Sequence, residues 1–114
     1  MSAAQASIED GPGGMTIAGH VHHLCSSLAL STSALRGEPT SRDRSRSWTV
    51  AALDEARWDE LRARLRREGE ALFLAVETRS VWDDDALGTA IGAIAHTAYH
   101  LGAIRQRALP APSA

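Results

Sequence analysis

The sequence predicts an all-α helical bundle, and three observations carry that expectation. Apolar residues recur at intervals of three and four in three separate stretches, the period of a helix with a buried face. Each stretch opens on a residue suited to capping a helix N-terminus: Thr16, Asp54, or one of Asp83, Asp84 and Asp85. The segments between them are polar or rich in glycine and proline. Three long helices are therefore expected over about 16–36, 54–78 and 86–107, as one domain spanning 16–108 between a leader, 1–15, and a C-terminal tail, 109–114.

The leader, MSAAQASIEDGPGGM, closes on the breaker cluster Gly11-Pro12-Gly13-Gly14, so at most a turn or two of helix is expected between Ser2 and Ile8. The first long helix starts after Thr16 and runs to about Arg36, with Gly37 as its C′ residue and Pro39 beyond. Ile17, Val21, Leu24, Leu28 and Leu35 make its apolar stripe. At about 100° per residue from Ile17, His20 falls roughly 60° away, His23 roughly 120° and His22 roughly 140°. His20 is thus the one of the three best placed to look inward, and solvent is the ordinary surrounding for the other two.

Residues 37–47, GEPTSRDRSRS, form a polar loop in which Arg42, Arg44 and Arg46 alternate with Ser and Asp, a pattern that is usually just solvated. A short apolar lead-in, Trp48 to Leu53, precedes the second helix. Asp54, Glu55 and Asp59 suit the positive end of that helix. Trp58, Leu61, Leu65, Leu72 and Val76 form its stripe, with Arg64 and Glu68, and Arg66 and Glu70, spaced for pairing on the solvated side. Gly69 in mid-helix costs about 1 kcal/mol relative to alanine, which suggests close approach of another element.

The third helix, ALGTAIGAIAHTAYHLGAIRQ from Ala86 to Gln106, shows three faces. Leu87, Ile91, Ile94, Ala98 and Leu101 form the expected core stripe, Gly88, Gly92, Ala95 and Gly102 a small-residue face, and His96 and His100 a third. A helix with so little polar surface is expected to have more than one neighbour. Its 19 uncharged residues from Ala86 to Ile104 raise the possibility of a membrane span, but the glycines, threonines and histidines among them and the adjoining aspartates argue against it.

Composition narrows the function. At 114 residues, 23% charged and 44% hydrophobic, the chain has an ordinary globular make-up, and a formal charge of −2 gives no reason to expect nucleic acid or a membrane surface as partner. Every one of the 12 basic residues is arginine. Cys25 is the single cysteine, so no intramolecular disulfide forms, and the absence of a signal-like N-terminus leads to a cytoplasmic expectation. Cys25 reads as a packing residue, Tyr99 as a packing residue with its hydroxyl at a rim, and Trp48, Trp58 and Trp82 as core or interface anchors.

His96 and His100, four apart, stand on one helix face with Cβ atoms about 5 to 6 Å apart, close enough for both rings to reach one ion. With an inward histidine from another helix they make three neutral nitrogen ligands. Such a set suits a divalent metal with a position left for water or substrate. Buried histidines satisfied by hydroxyls or carbonyls are the bland alternative. No Glu or Asp lies on the histidine faces, so any catalysis is expected to run through metal-bound water or thiolate, and no catalytic side chain is named.

The blocks TIAGHVHHL, SW…DEARWDELRARLRRE and HTAYHLGAIRQ together resemble the DinB/YfiT-like superfamily of four-helix-bundle proteins, over about residues 2–108. The family carries one histidine followed by Val, Ile or Leu near a helix start, and an H-x3-H pair on its last helix. His20 followed by Val21 matches the first, His96 and His100 match the pair, and His23 is the fallback for the first ligand. The resemblance implies a Zn²⁺ or Ni²⁺ site on His20, His96 and His100, often a homodimer, and in some relatives a metal-dependent thiol transferase or related thiol-dependent enzyme. It would act on a small-molecule substrate with a low-molecular-weight thiol as second cofactor; a hydrolase is also compatible. Arg105 and Gln106 match the family's closing IRQ, where helix-end packing is the ordinary account. The family's long first helix has only the short leader in its place here, so self-association is expected, through the Gly88/Gly92 face or where that helix would lie. The alternative is a non-catalytic helical interaction module with an incomplete site.

Overall fold

The computed structural model describes residues 1–11, 14–39 and 51–108, and among these every regular element is helical. The four helices are α1 (Ala3–Ala6), α2 (Ile17–Leu35), α3 (Glu55–Thr78) and α4 (Asp84–Ala108). Trp48, the Arg42/Arg44/Arg46 loop and the C-terminal tail lie outside the described residues.

Local chemistry sets the boundaries. Thr16 caps α2 by accepting from the Gly19 N–H at 2.8 Å, Asp54 caps α3 through Arg57 N–H at 2.8 Å, and Asp83 accepts from Ala86 N–H at 2.8 Å where α4 begins. The chain leaves α2 through Gly37 in the left-handed region, φ +71, where a Cβ is disfavoured. In the leader, Ser2 and Gln5 form a reciprocal capping box around α1. Gly14 donates to Gly11 O at 3.0 Å, and a Cβ on Gly14 would clash with the Asp10 carbonyl oxygen.

α2 is the common wall of the molecule, packed by α3 on one side and α4 on the other. Its apolar stripe, Ile17, Val21, Leu24, Leu28 and Leu35, is buried along its whole length. One core cluster joins Ala3, Ala6, Ile17, Ala18, Val21 and Cys25 to Trp58 and Leu61, and a smaller one joins Leu35, Ala75 and Ala86. Burying a large apolar side chain is worth about 1.5–3 kcal/mol, so the first cluster holds much of the fold. The leader is stitched to α3: Trp58 Nε1–H donates to Met1 O at 3.0 Å, Ala3 N–H to Glu55 at 2.8 Å, and Leu53 N–H to the Ser7 hydroxyl at 3.1 Å. Arg107, at the far end of α4, donates to the carbonyls of Ile8 and Met15 and ties the same leader to the last helix.

Two expectations about α4 and α3 are corrected. Leu87, Ile91, Ile94 and Leu101, expected as the core stripe of the last helix, are exposed, Ile94 to 70%. α4 turns its Ala86, Ala93 and His100 side inward, because the histidines and small residues are what fit against α2. Gly69 meets no close neighbour at the place of its missing Cβ, and opens instead onto an apolar groove between α3 and α4. That groove, of about 400 Å³, is floored by Leu28 and walled by Leu72, Ala93, Thr97 and Leu101 among others. The expected Arg64–Glu68 pair forms at 3.7 Å, and Arg67 reaches Glu60 at 3.0 Å. No helix among the described residues is long and apolar enough to cross a membrane.

Candidate metal centre

Four histidines meet on the seam between α2 and α4. The helical repeat puts His20 and His23, three apart, on the side of α2 that faces α4, and puts His96 and His100, four apart, on the answering side of α4. His100 is 1% exposed and His20 8%, while His23 and His96 are half-buried at the outer edge.

Three of the rings point one nitrogen each at a common place. His96 Nε2 lies 3.1 Å from His23 Nε2 and 3.0 Å from His100 Nε2, and His23, His96 and His100 each offer a ligand atom within 4.8 Å of the others. The expected set, His20, His96 and His100, differs from this trio in one member. His20 meets His100 as well, but on the opposite edge of its ring, Nδ1 to Nδ1 at 2.9 Å.

Hydrogen bonding among neutral rings accounts poorly for such a knot. Each imidazole nitrogen has one in-plane site, filled by either a proton or a lone pair. His96 Nε2 therefore cannot donate to one neighbour and accept from the other; it must share one proton between two acceptors, or one lone pair between two donors. A cation relieves the conflict, because all three nitrogens can then present lone pairs. Tetrahedral ligands at about 2.0–2.1 Å from a zinc ion would stand roughly 3.3 Å apart. The 3.0 and 3.1 Å separations are within a few tenths of that, and the third, between His23 and His100, is within 4.8 Å.

The electrostatics suit a neutral His100. Burial, then the neighbouring rings of His96, His23 and His20, lower the pKa of His100 to about 4, so it is a neutral ring at pH 7. Burial and the Arg107 guanidinium lower the pKa of His20 against an opposing pull from Asp10. Asp10 is a carboxylate that the periodicity of the long helices did not point to. Its charge acts on His20 from the leader, to which Arg107 donates at the Ile8 carbonyl.

The signal for His23 was present in the sequence as its H-x2-H spacing from His20. A single apolar stripe marks only one inward direction, whereas α2 has two, its stripe toward α3 and its histidines toward α4. Tyr99 stands edge-on to His100 with ring centroids 5.1 Å apart, and at 68% exposure it is a rim residue rather than a packed one. Cys25 is fully buried and burial pushes its thiol pKa up, as befits a packing residue. Trp58 is a core anchor at 3% exposed, while Trp82 is exposed and lies under the Arg79 guanidinium.

Set against protein-family models, curated proteins and solved structures, the chain has no significant match in any of the three.

Proposed function

We propose that this chain is a divalent-metal-binding helical protein of the DinB/YfiT-like type, with the ion held by His23, His96 and His100. The observation that carries the reading is the convergence of three Nε2 atoms on a place where neutral rings alone leave a donor–acceptor conflict. Three imidazoles suit Zn²⁺ or Ni²⁺ and leave coordination positions open, as catalytic sites do. A divalent ion bound there would lower the pKa of a low-molecular-weight thiol toward neutrality and so activate it for transfer to an electrophile. The chain's own part is to keep His100 neutral by burial, to hold His96 one helical turn from it, and to leave the half-buried edges of His23 and His96 as the side from which a small molecule approaches. A homodimer belongs to the same proposal, supported by the exposed apolar row on α4.

That row also favours a second reading, a non-catalytic interaction module whose working surface is α4 and the groove beside it. Metal analysis separates the two. The purified chain should carry about one divalent ion, or bind Zn²⁺ or Ni²⁺ one-to-one by calorimetry, and the His96→Ala, His100→Ala double variant should lose it. A folded chain that takes up neither ion leaves the interaction module as the reading.

A further inference from the structure

His100 is gripped at both nitrogens. Nε2 points into the trio with His23 and His96, and Nδ1 points the other way, 2.9 Å from Nδ1 of His20. Two Nδ1 atoms at that distance are hydrogen-bonded, so one carries the proton and the other the lone pair. A ring that serves a cation through Nε2 must carry its proton on Nδ1, which leaves His20 Nδ1 as the acceptor and puts the His20 proton on Nε2. We propose that His20 is a positioning residue: it accepts a hydrogen bond from His100 Nδ1–H, fixing the tautomer and the ring plane that aim His100 Nε2 at His23 and His96. The placing of that proton and its consequence for metal affinity rest on the metal-binding reading above; the Nδ1–Nδ1 contact itself does not.

The geometry separates this role from direct ligation. The atom of His20 nearest His100 faces the ring edge turned away from the three convergent nitrogens, and His23, one turn further along α2, stands opposite His96 on the other side. Histidine ligands commonly give their second nitrogen to a carboxylate or a carbonyl, which fixes the tautomer and raises ligand basicity, and loss of that partner lowers metal affinity 10- to 100-fold. Here a second imidazole on the adjacent helix takes that place. Its burial, at 8% exposed, keeps water from competing for the same proton.

Long-range proton–nitrogen NMR on the metal-free full chain at neutral pH reads the tautomer directly. His100 should carry its proton on Nδ1, and His20→Ala should weaken that preference. Co²⁺ titration then reads the consequence: His20→Ala should bind about 10- to 100-fold more weakly with unchanged visible bands. His20→Gln, whose amide oxygen also accepts, should recover most of the affinity, and circular dichroism checks that both variants stay helical. A His100 proton on Nε2 overturns the proposal. So do Co²⁺ bands altered in His20→Ala by loss of a nitrogen ligand, or an affinity equal to that of the unsubstituted chain. If the unsubstituted chain shows the Nδ1–H tautomer but takes up no Co²⁺, the positioning contact stands and the metal reading fails.

Discussion

The His100 side chain is almost completely enclosed, with a histidine at each of its ring nitrogens, and its chemistry follows from that enclosure. An imidazole titrates at 6.5 in the open and at about 4 here, so folding favours the neutral ring. Above pH 6.5 both folded and unfolded chains hold it neutral, and the preference is fully satisfied. Between 6.5 and about 4 the unfolded chain binds a proton that the folded chain refuses, so the metal-free protein should lose stability as pH falls through that window. Urea midpoints should drop between pH 7.5 and pH 5, and less steeply in His100→Gln; a midpoint indifferent to pH would mean that the ring is solvated. Cys25 offers a second check at this scale. Fully buried, with its thiol pKa pushed up by burial, it should react with a disulfide reagent only as fast as the chain unfolds, and rapid stoichiometric labelling of the native protein would contradict the packing.

Among elements, α2 carries the architecture because two different kinds of surface run along it. The aliphatic side seals against α3 and the leader, and the histidine side meets α4. Trp58 fastens the first seam from two directions, filling the core at 3% exposed and donating to the Met1 carbonyl. Trp58→Ala should cost about 3–5 kcal/mol in urea unfolding, and Thr16→Ala, which removes the α2 cap, about 1 kcal/mol. A Trp58→Ala loss below about 1 kcal/mol would show that the leader and α3 are not docked as described. The second seam is poorer in aliphatic contacts. Small residues and imidazoles pack there, and a bound cation would supply cohesion that burial does not.

At the scale of the whole molecule the helices form an open layer rather than a closed bundle. The Cα radius of gyration is 15.6 Å, against about 13 Å for a compact chain of this length. Leu87, Ile91, Ile94 and Leu101 on α4 and Phe73 and Leu74 on α3 are all exposed, and apolar patches beyond a few hundred Å² usually mark an interaction surface. If a second copy covers this face, light scattering should give twice the 12.2 kDa chain mass, and Ile94→Glu with Leu101→Glu should return the chain to monomer while leaving its helix content unchanged. A monomeric, soluble chain at micromolar concentration would remove the homodimer from the proposal.

Helix identity and helix ends were legible in the residues themselves, because capping and periodicity are local: Thr16, Asp54, Asp83 and Gly37 act within a turn of where they stand. The buried stripe of α2 was legible for the same reason, and on α3 the expected stripe packs through buried Trp58 and Leu61 with Leu65, Leu72 and Val76 half-buried, while Phe73 and Leu74 stay exposed. The His96/His100 pair was visible as a spacing. Which face of α4 turns inward was decided only by tertiary structure: a helix apolar nearly all round has no preferred side until a neighbour selects one, and α2 selects the side with histidines and small residues. The same docking put His23 into the convergent trio and His20 behind His100. A rotation about the helix axis of a few tens of degrees interchanges those roles, and no pattern within a single helix fixes that angle.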